Sequence, residues 1–321
     1  MEQLLTFSNV TATIRTNVIR LKSGGLWVHS PLYPTGEFCA LLDELGPVEH
    51  VVLPCNAFEH KAALKPFCRK YPEASVWIAP GQYNPLGTCG LSLDEPCQMG
   101  IPVDGIFGPA NPSSSVATSR PPWADEFDYA TLYVSLPENA GPVSEVAFLH
   151  KPTHTLIATD AVVYIQDGPI PEIFGTYFDE DTLKDPAFWP KTVLQSVFLP
   201  LRMDESGNYP GYQAIKQRVL RAPILRGFND ARAPNEAREF ISAIFKWDFD
   251  RILTSHFASP IGASPIDVRN AFSYLYPDEA MSNDLPPIAC QDWDLLQGLN
   301  DIITNNKLGA PTILDYRRGC Q

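Results

Sequence analysis

Residues 11–21 and Leu26-Trp27-Val28-His29 are two apolar runs joined by Lys22-Ser23-Gly24-Gly25, and a Gly-Gly pair between such runs predicts a hairpin. Residues 35–45 carry Phe38, Leu41, Leu42 and Leu45 at helical spacing and stop at Gly46, where a helix end favours a residue tolerant of positive φ. The strand Val51-Val52-Leu53, a helix over 59–70 and a strand over 75–79 follow, which is βαβ grammar. Residues 81–122 then dissolve into Gly, Pro, Ser and Asn, a loop long enough to cover a site. Strands over 130–136, 144–149 and 155–158 resume as a meander that ends at Asp160, with His150-Lys151-Pro152-Thr153-His154 as its last turn.

Residues 167–240 break this alternation with Pro- and Asp-rich turns, an aromatic stretch and helical periodicity over 211–225, which predicts a mostly helical insertion. Arg251-Ile252-Leu253 is a further strand, and 264–276 a helix with Pro265 in its first turn, where a missing N–H costs nothing. The tail reads as a polar linker, one helix over 293–303 and a frayed end. The expected organisation is one α/β domain over 1–280, with the insertion near 167–240, and a C-terminal helical tail over 281–321.

A chain of 321 residues, 45% of them hydrophobic, can bury a large core. Its net charge of -13 argues against nucleic acid as a partner, because phosphate binding needs a clustered basic surface. The most basic stretch, Lys216 to Arg226, is diluted by Val219, Leu220, Ile224 and Leu225 and reads as the solvated face of a helix. The seven cysteines have neither a repeated spacing nor a Cys-x-x-Cys pair, so no disulfide framework or zinc knuckle is expected and a reducing compartment follows. With no leader-like start and no run near the roughly eighteen apolar residues that a span needs, the expectation is a cytoplasmic protein without a membrane partner.

Four residues at the ends of apolar runs carry the candidate chemistry: Glu59 and His60, Asp160, and His256. A packed sheet could bring them to one edge, and two carboxylates with two imidazoles make a metal donor set. Plainer readings stand beside this, namely a carboxylate at a helix start next to a packed imidazole, and an aspartate that closes a turn. Cys55 is either a thiolate ligand or nucleophile, or a small buried hydrophobe. His29 either faces the site or is a core histidine bonded to a backbone carbonyl, and His150 and His154 belong to an exposed turn. Trp77, Tyr83, Trp123, Phe127 and Trp189 either line a pocket or fill the core.

The segment Val51-Val52-Leu53-Pro54-Cys55-Asn56-Ala57-Phe58-Glu59-His60 resembles the signature of the metallo-β-lactamase superfamily, an apolar strand followed by Thr-His-x-His-x-Asp-His. Asp160 in Ile157-Ala158-Thr159-Asp160-Ala161 is similar to that superfamily's bridging aspartate, and His256 in Leu253-Thr254-Ser255-His256 to its last histidine. More narrowly, Arg20-Leu21-Lys22-Ser23-Gly24-Gly25-Leu26-Trp27-Val28-His29-Ser30-Pro31, Glu59-His60, Glu145-Val146-Ala147-Phe148, Thr159-Asp160-Ala161-Val162 and His256-Phe257 resemble the DUF4336 branch. The resemblance implies a four-layer αββα sandwich, two mixed sheets face to face with helices outside, whose halves meet near Asp160 and Val162.

The departures decide which chemistry is implied. Cys55 and Ala57 stand where the superfamily has its first two histidines, and Pro137-Glu138-Asn139-Ala140-Gly141 supplies no third, so the three-histidine metal position is lost. The second position keeps Glu59, His60, Asp160 and His256, enough for one divalent ion, zinc or iron. Glu59 would serve as a fourth ligand, as a base, or as a hydrogen-bond partner of a ligand. The implied activity is hydrolysis of a small-molecule ester, lactone or thioester by a water activated on that ion, with Glu59 and Asp160 as the catalytic carboxylates. Two alternatives stay open: an isomerase, cyclase or lyase of small-molecule metabolism using the same pocket, and a binding protein with a degenerate metal site.

Overall fold

In the computed structural model, which describes residues 1–7, 10–82, 100–108, 120–134, 142–276, 287–317 and 320, the apolar runs sort into two separate five-stranded sheets and two short ribbons. Strands β1 (Glu2–Phe7) and β2 (Val10–Arg15) pair antiparallel as one ribbon. The first sheet holds, in spatial order, β3 (Asn17–Arg20), β4 (Leu26–His29), β5 (Val48–Leu53), β6 (Ser75–Ile78) and β7 (Gly105–Ile106). The run over 11–21 is therefore two strands in different sheets. Thr16 sits at the break and donates its hydroxyl to His29 O at 2.9 Å.

The expected meander is β8 (Phe127–Val134), β9 (Val143–His150) and β10 (Thr155–Ile157). A ribbon of β11 (Val163–Tyr164) and β12 (Val219–Leu220) leaves it; β13 (Arg251–Leu253) then returns parallel to β10, and β14 (Ile261–Gly262) forms the edge.

Side-chain alternation explains the layers. Val28, Val51, Leu53, Val76 and Ile78 pack outward with Phe38 and Leu42 of α1 (Gly36–Leu45), and with Leu64 and Phe67 of α3, which follows α2 (Phe58–Lys61) and spans Leu64–Lys70. Their neighbours Trp27, Val52 and Trp77 point the other way, onto Val146, Phe148 and Ile157 of the second sheet. Burying each such side chain is worth roughly 1.5–3 kcal/mol. The second sheet's outer face, with Leu132, Ala147, Leu156 and Ile252, carries Phe240, Ile241 and Val268 from the helices over it. The result is the expected αββα sandwich.

Local chemistry sets the helix ends. Thr35 caps α1, its hydroxyl accepting from Phe38 N at 3.2 Å, and Gly46 closes it at φ 143. The single helix expected over 59–70 is split into α2 and α3. Pro66 offers no N–H to the carbonyl of Ala62 and its ring crowds that carbonyl, so the helix restarts with proline inside its first turn.

Residues 167–240 are mostly helical, with α4 (Glu180–Lys184), α5 (Phe188–Ser196), α6 (Pro210–Ile215), α7 (Pro223–Leu225) and α8 (Pro234–Ile244); α9 (Pro265–Ala271) and α10 (Asp294–Asn305) follow. The helix expected over 211–225 stops at Ile215, where Lys216 becomes extended, Gln217 takes a positive φ of 56 and the chain enters β12. The basic stretch is therefore not a solvated helix face, and Arg221 is only 3% exposed. The tail docks instead of fraying: Trp293, Leu296 and Tyr316 share a core with Trp189, Val193 and Tyr212. A disulfide joins Cys290 to Cys320, a pairing that the expectation of no disulfide framework did not foresee. Their spacing of 30 residues forms no motif, so only the docking of the tail brings them together. Most of the loop over 81–122, with Tyr83, lies outside the described residues, as does Ala140. Among the described residues no helix is long and apolar enough to cross a membrane.

Candidate metal centre

The two sheets are stitched together at one edge. Beyond Leu53 the chain crosses to β9, where Val146 N donates to Pro54 O at 2.7 Å, Asn56 N to Ser144 O at 3.4 Å, and Cys55 bridges to Glu145. That crossing places α2, with Glu59 and His60, over the ends of β10 and β13. Because β10 and β13 run parallel, their exits lie side by side and deliver Asp160 and His256 to the same edge.

One donor atom from each of Glu59, His60, Asp160 and His256 lies within 4.8 Å of all the others. The two imidazoles meet at their Nε2 atoms, 3.2 Å apart. Each oxygen of Asp160 faces one of them, Oδ1 at 3.2 Å from His256 Nε2 and Oδ2 at 3.5 Å from His60 Nε2. His60 is fully buried, while Asp160 keeps a fifth of its side chain open to solvent.

Each of these three side chains has its own support. His256 Nδ1 lies 2.6 Å from Thr13 O, an atom that only accepts, so the neutral imidazole carries its proton on Nδ1 and turns a lone pair at Nε2 toward the site. Arg15 donates to the carbonyls on either side of His256, Thr254 O at 3.0 Å and Phe257 O at 2.8 Å. His60 Nδ1 lies 2.6 Å from Ser30 Oγ, which accepts from it in the tautomer that frees Nε2. Ser30 and Phe257 both hold φ 55, a left-handed backbone of the kind that concentrates at functional sites. Asp160 is held through its backbone, N donating to Glu145 Oε1 at 2.7 Å and O accepting from Arg221 Nη1 at 3.2 Å.

This donor set fits a cation. With both Nδ1 atoms protonated, two Nε2 lone pairs would face each other at 3.2 Å, which is repulsive unless a proton or metal ion sits between them. Glu59 and Asp160 bring two carboxylates to the two imidazoles, so with both imidazoles neutral the four side chains together are negative. Burial pushes the Asp160 carboxyl up, but the two imidazoles outweigh it and hold the group well below the usual carboxylate range. Burial lowers His256, yet the Asp160 charge and hydrogen bond raise it to about 8.

The four expected site residues are thus brought together, with Ala57 presenting only a methyl group beside them. Cys55 is the small buried hydrophobe of its two readings: it is 2% exposed, and burial, then the charges of Asp160, Glu59 and Glu145, push its thiol well above the ordinary value. His29 lies in the core but bonds to no carbonyl. Neither ring nitrogen has a partner among the described residues, and burial, then His60, lowers it to about 3. His150 is buried and bonded to Thr153 at 2.7 Å, against the expected exposed turn; His154 is exposed as expected. Trp77, Trp123 and Phe127 belong to the core between the sheets, and Trp189 to the core of the helical segment. Sequence reasoning missed Ser30, Thr13, Arg15 and Arg221 as supports. Arg221, between Leu220 and Ala222, gave no signal of this, since its burial is visible only in three dimensions.

The fold and site define an αββα protein whose candidate metal-binding edge lies at the seam of its sheets. The family model described as "Domain of unknown function (DUF4336)" matches residues 1–194 and 197–274, and the chain belongs to that family. Among solved structures, a metallo-beta-lactamase from Pontibacter korlensis is similar at 9% identity and a TM-score of 0.40, over 87% of this chain and 94% of that one. The metal-soaked Flv1 flavodiiron core from Synechocystis sp. PCC6803 is similar at 10% identity and a TM-score of 0.46, over 87% of this chain and 59% of that one. The BLEG-1 B3 metallo-beta-lactamase is similar at 12% identity and a TM-score of 0.31, over 63% of this chain and 88% of that one. No curated protein matches the chain in sequence.

Proposed function

We propose that the protein is a mononuclear metal-dependent hydrolase of a small-molecule ester, lactone or thioester. The observation that carries this reading is the meeting of two Nε2 atoms, 3.2 Å apart, on one carboxylate. His60, Asp160 and His256 would hold one zinc or iron ion with Glu59 as the fourth donor. When bound, the ion supplies a Lewis acid that acidifies a water molecule and polarises a carbonyl oxygen. Asp160, held well below the usual carboxylate range, would supply the negative donor beside both Nε2 atoms. Where Glu59, less deeply buried than His60, stays off the ion instead, it takes a proton from the attacking water and returns it to the leaving alcohol or thiol. Cys55 takes no part, because its thiol stays protonated.

A panel of p-nitrophenyl esters, lactones and acyl thioesters, assayed with zinc or iron and again after chelation, tests the reading. Turnover that vanishes on chelation, returns with metal and is lost in Glu59→Gln supports it. Turnover indifferent to chelation contradicts it and favours acid–base chemistry by the Asp160–His256 pair, for which the raised His256 is suited.

A further inference from the structure

Behind the metal-binding edge lies a buried charged network that the hydrolytic reading does not use. Glu145, with 6% of its side chain exposed, points one carboxylate oxygen into the turn that carries Asp160. That single atom, Oε1, accepts from Thr159 Oγ1 at 2.8 Å, Asp160 N at 2.7 Å and Ala161 N at 2.5 Å. Three donors converge on Oε1, so this oxygen acts only as an acceptor, while burial and then the Asp160 charge push the Glu145 carboxyl up against the opposing pull of Arg221. The opposite side of the same two peptides is held by Arg221. Its Nη1 donates to Asp160 O at 3.2 Å and Ala161 O at 3.3 Å, and lies 3.5 Å from Glu145 Oε2.

Arg221 is itself fixed. Asp230 accepts from its Nε at 2.9 Å and from its Nη2 at 3.0 Å, a two-pronged contact that sets the plane of the guanidinium. Tyr274 donates to Asp230 at 2.6 Å, and the Phe272 ring lies 5.3 Å from the Arg221 carbon. Asp230 ends a π-helical turn, Arg226–Asp230, a geometry frequent at functional sites. Burying Arg221, Glu145 and Asp230 is expensive, and groups that served only the core could be replaced by apolar ones at little loss.

We propose that Glu145 is a positioning residue for Asp160, with Arg221 as its clamp: together they pin both N–H and both C=O groups of residues 160 and 161, and so set the direction of the Asp160 carboxylate toward His60 and His256. Only the metal-affinity part of the test rests on the metal reading above; the positioning itself does not.

Glu145→Gln keeps the volume but sets an amide NH2 against Arg221, which needs an acceptor there. Arg221→Lys keeps the charge and loses the fork. Zinc affinity is measured by competition with a chromophoric chelator, cobalt(II) absorption reports the ligand geometry, and a crystal structure of the zinc-free Glu145→Gln protein shows Asp160 directly. The expected results are zinc binding weakened by about ten- to a hundredfold, shifted cobalt bands, unchanged far-UV circular dichroism, and an Asp160 carboxylate withdrawn from its 3.2 Å contact with His256 Nε2. A residue that only stabilised the fold would lower the melting temperature and leave the cobalt bands in place. An unmoved Asp160 in the crystal, or wild-type cobalt bands, overturns the proposal. If wild type binds no metal, the hydrolase reading falls while the zinc-free crystal structure still decides on Glu145. Should Glu145→Gln not fold, the same crystal test on Arg221→Lys decides.

Discussion

His256 and Asp160 form one ion pair seen from two sides, the imidazole raised to about 8 and the carboxyl depressed. A raised histidine contributes stability that is fully present below its unfolded value of 6.5 and lost as pH rises through about 8. A depressed carboxylate contributes stability present above its unfolded value of 3.8 and lost in acid. The metal-free protein should therefore gain most from the pair between about pH 4 and 6.5, and its melting temperature should fall from pH 6.5 to 8.5. Metal needs His256 deprotonated, so zinc affinity should rise over that same interval. Calorimetry of chelated protein with zinc titrations at pH 6 and 8.5 checks both slopes, and slopes of the opposite sign would contradict the pairing. Cys55→Ala should leave metal content and turnover unchanged and cost about 1 kcal/mol of stability, a typical loss on truncating a small buried side chain; chemical denaturation and metal analysis read it. The four candidate ligands were readable in the sequence because each follows an apolar strand, where a polar residue is conspicuous. Thr13 was not, since it acts through a backbone carbonyl, and Arg221 was not, because its neighbours mimic a helix face.

The β1–β2 ribbon illustrates what element-scale reading misses. Residues 11–21 look like one strand, and only three-dimensional pairing shows that the first half belongs to the ribbon while the second joins a sheet. The ribbon brings Thr13 O and the Arg15 guanidinium to His256, so its role is local to the site although it belongs to neither sheet. Arg15→Met should loosen the residues flanking His256 and weaken zinc binding about tenfold, the lower end for groups that orient metal ligands, with Arg15→Lys intermediate. Zinc competition measures this, and wild-type affinity in Arg15→Met would remove the ribbon from the site. Helix α1 was expected over 35–45 with Gly46 at its end and forms over Gly36–Leu45, since the closing glycine is a local signal, while Thr35 turned out to be its cap. The break between α2 and α3 followed from Pro66, a local signal that the apolar periodicity overrode.

At the scale of the molecule, the order of strands and helices pointed to an α/β domain and the family resemblance to the sandwich, but the docking of the tail was not readable. Trp293 and Tyr316 are 1% and 2% exposed because the helical segment offers them a core, and no periodicity in the tail announces that partner. The Cys290–Cys320 disulfide depends on the same docking. Reduction should destabilise the chain by about 3–4 kcal/mol, the loop-closure value for a bridge of this span, and release the tail to proteolysis before the sheets. Non-reducing peptide mapping with melting curves in and out of reductant tests it, and free thiols at both positions would contradict the pairing. The central claim is a single metal position made by Glu59, His60, Asp160 and His256 at the seam of two sheets. Elemental analysis of protein purified without chelator or nickel affinity tag, alongside His60→Ala, addresses it most directly. The account predicts one zinc or iron ion per chain in wild type and none in the variant. A wild-type protein that neither carries nor takes up metal, or a His60→Ala variant that keeps its ion, would contradict it.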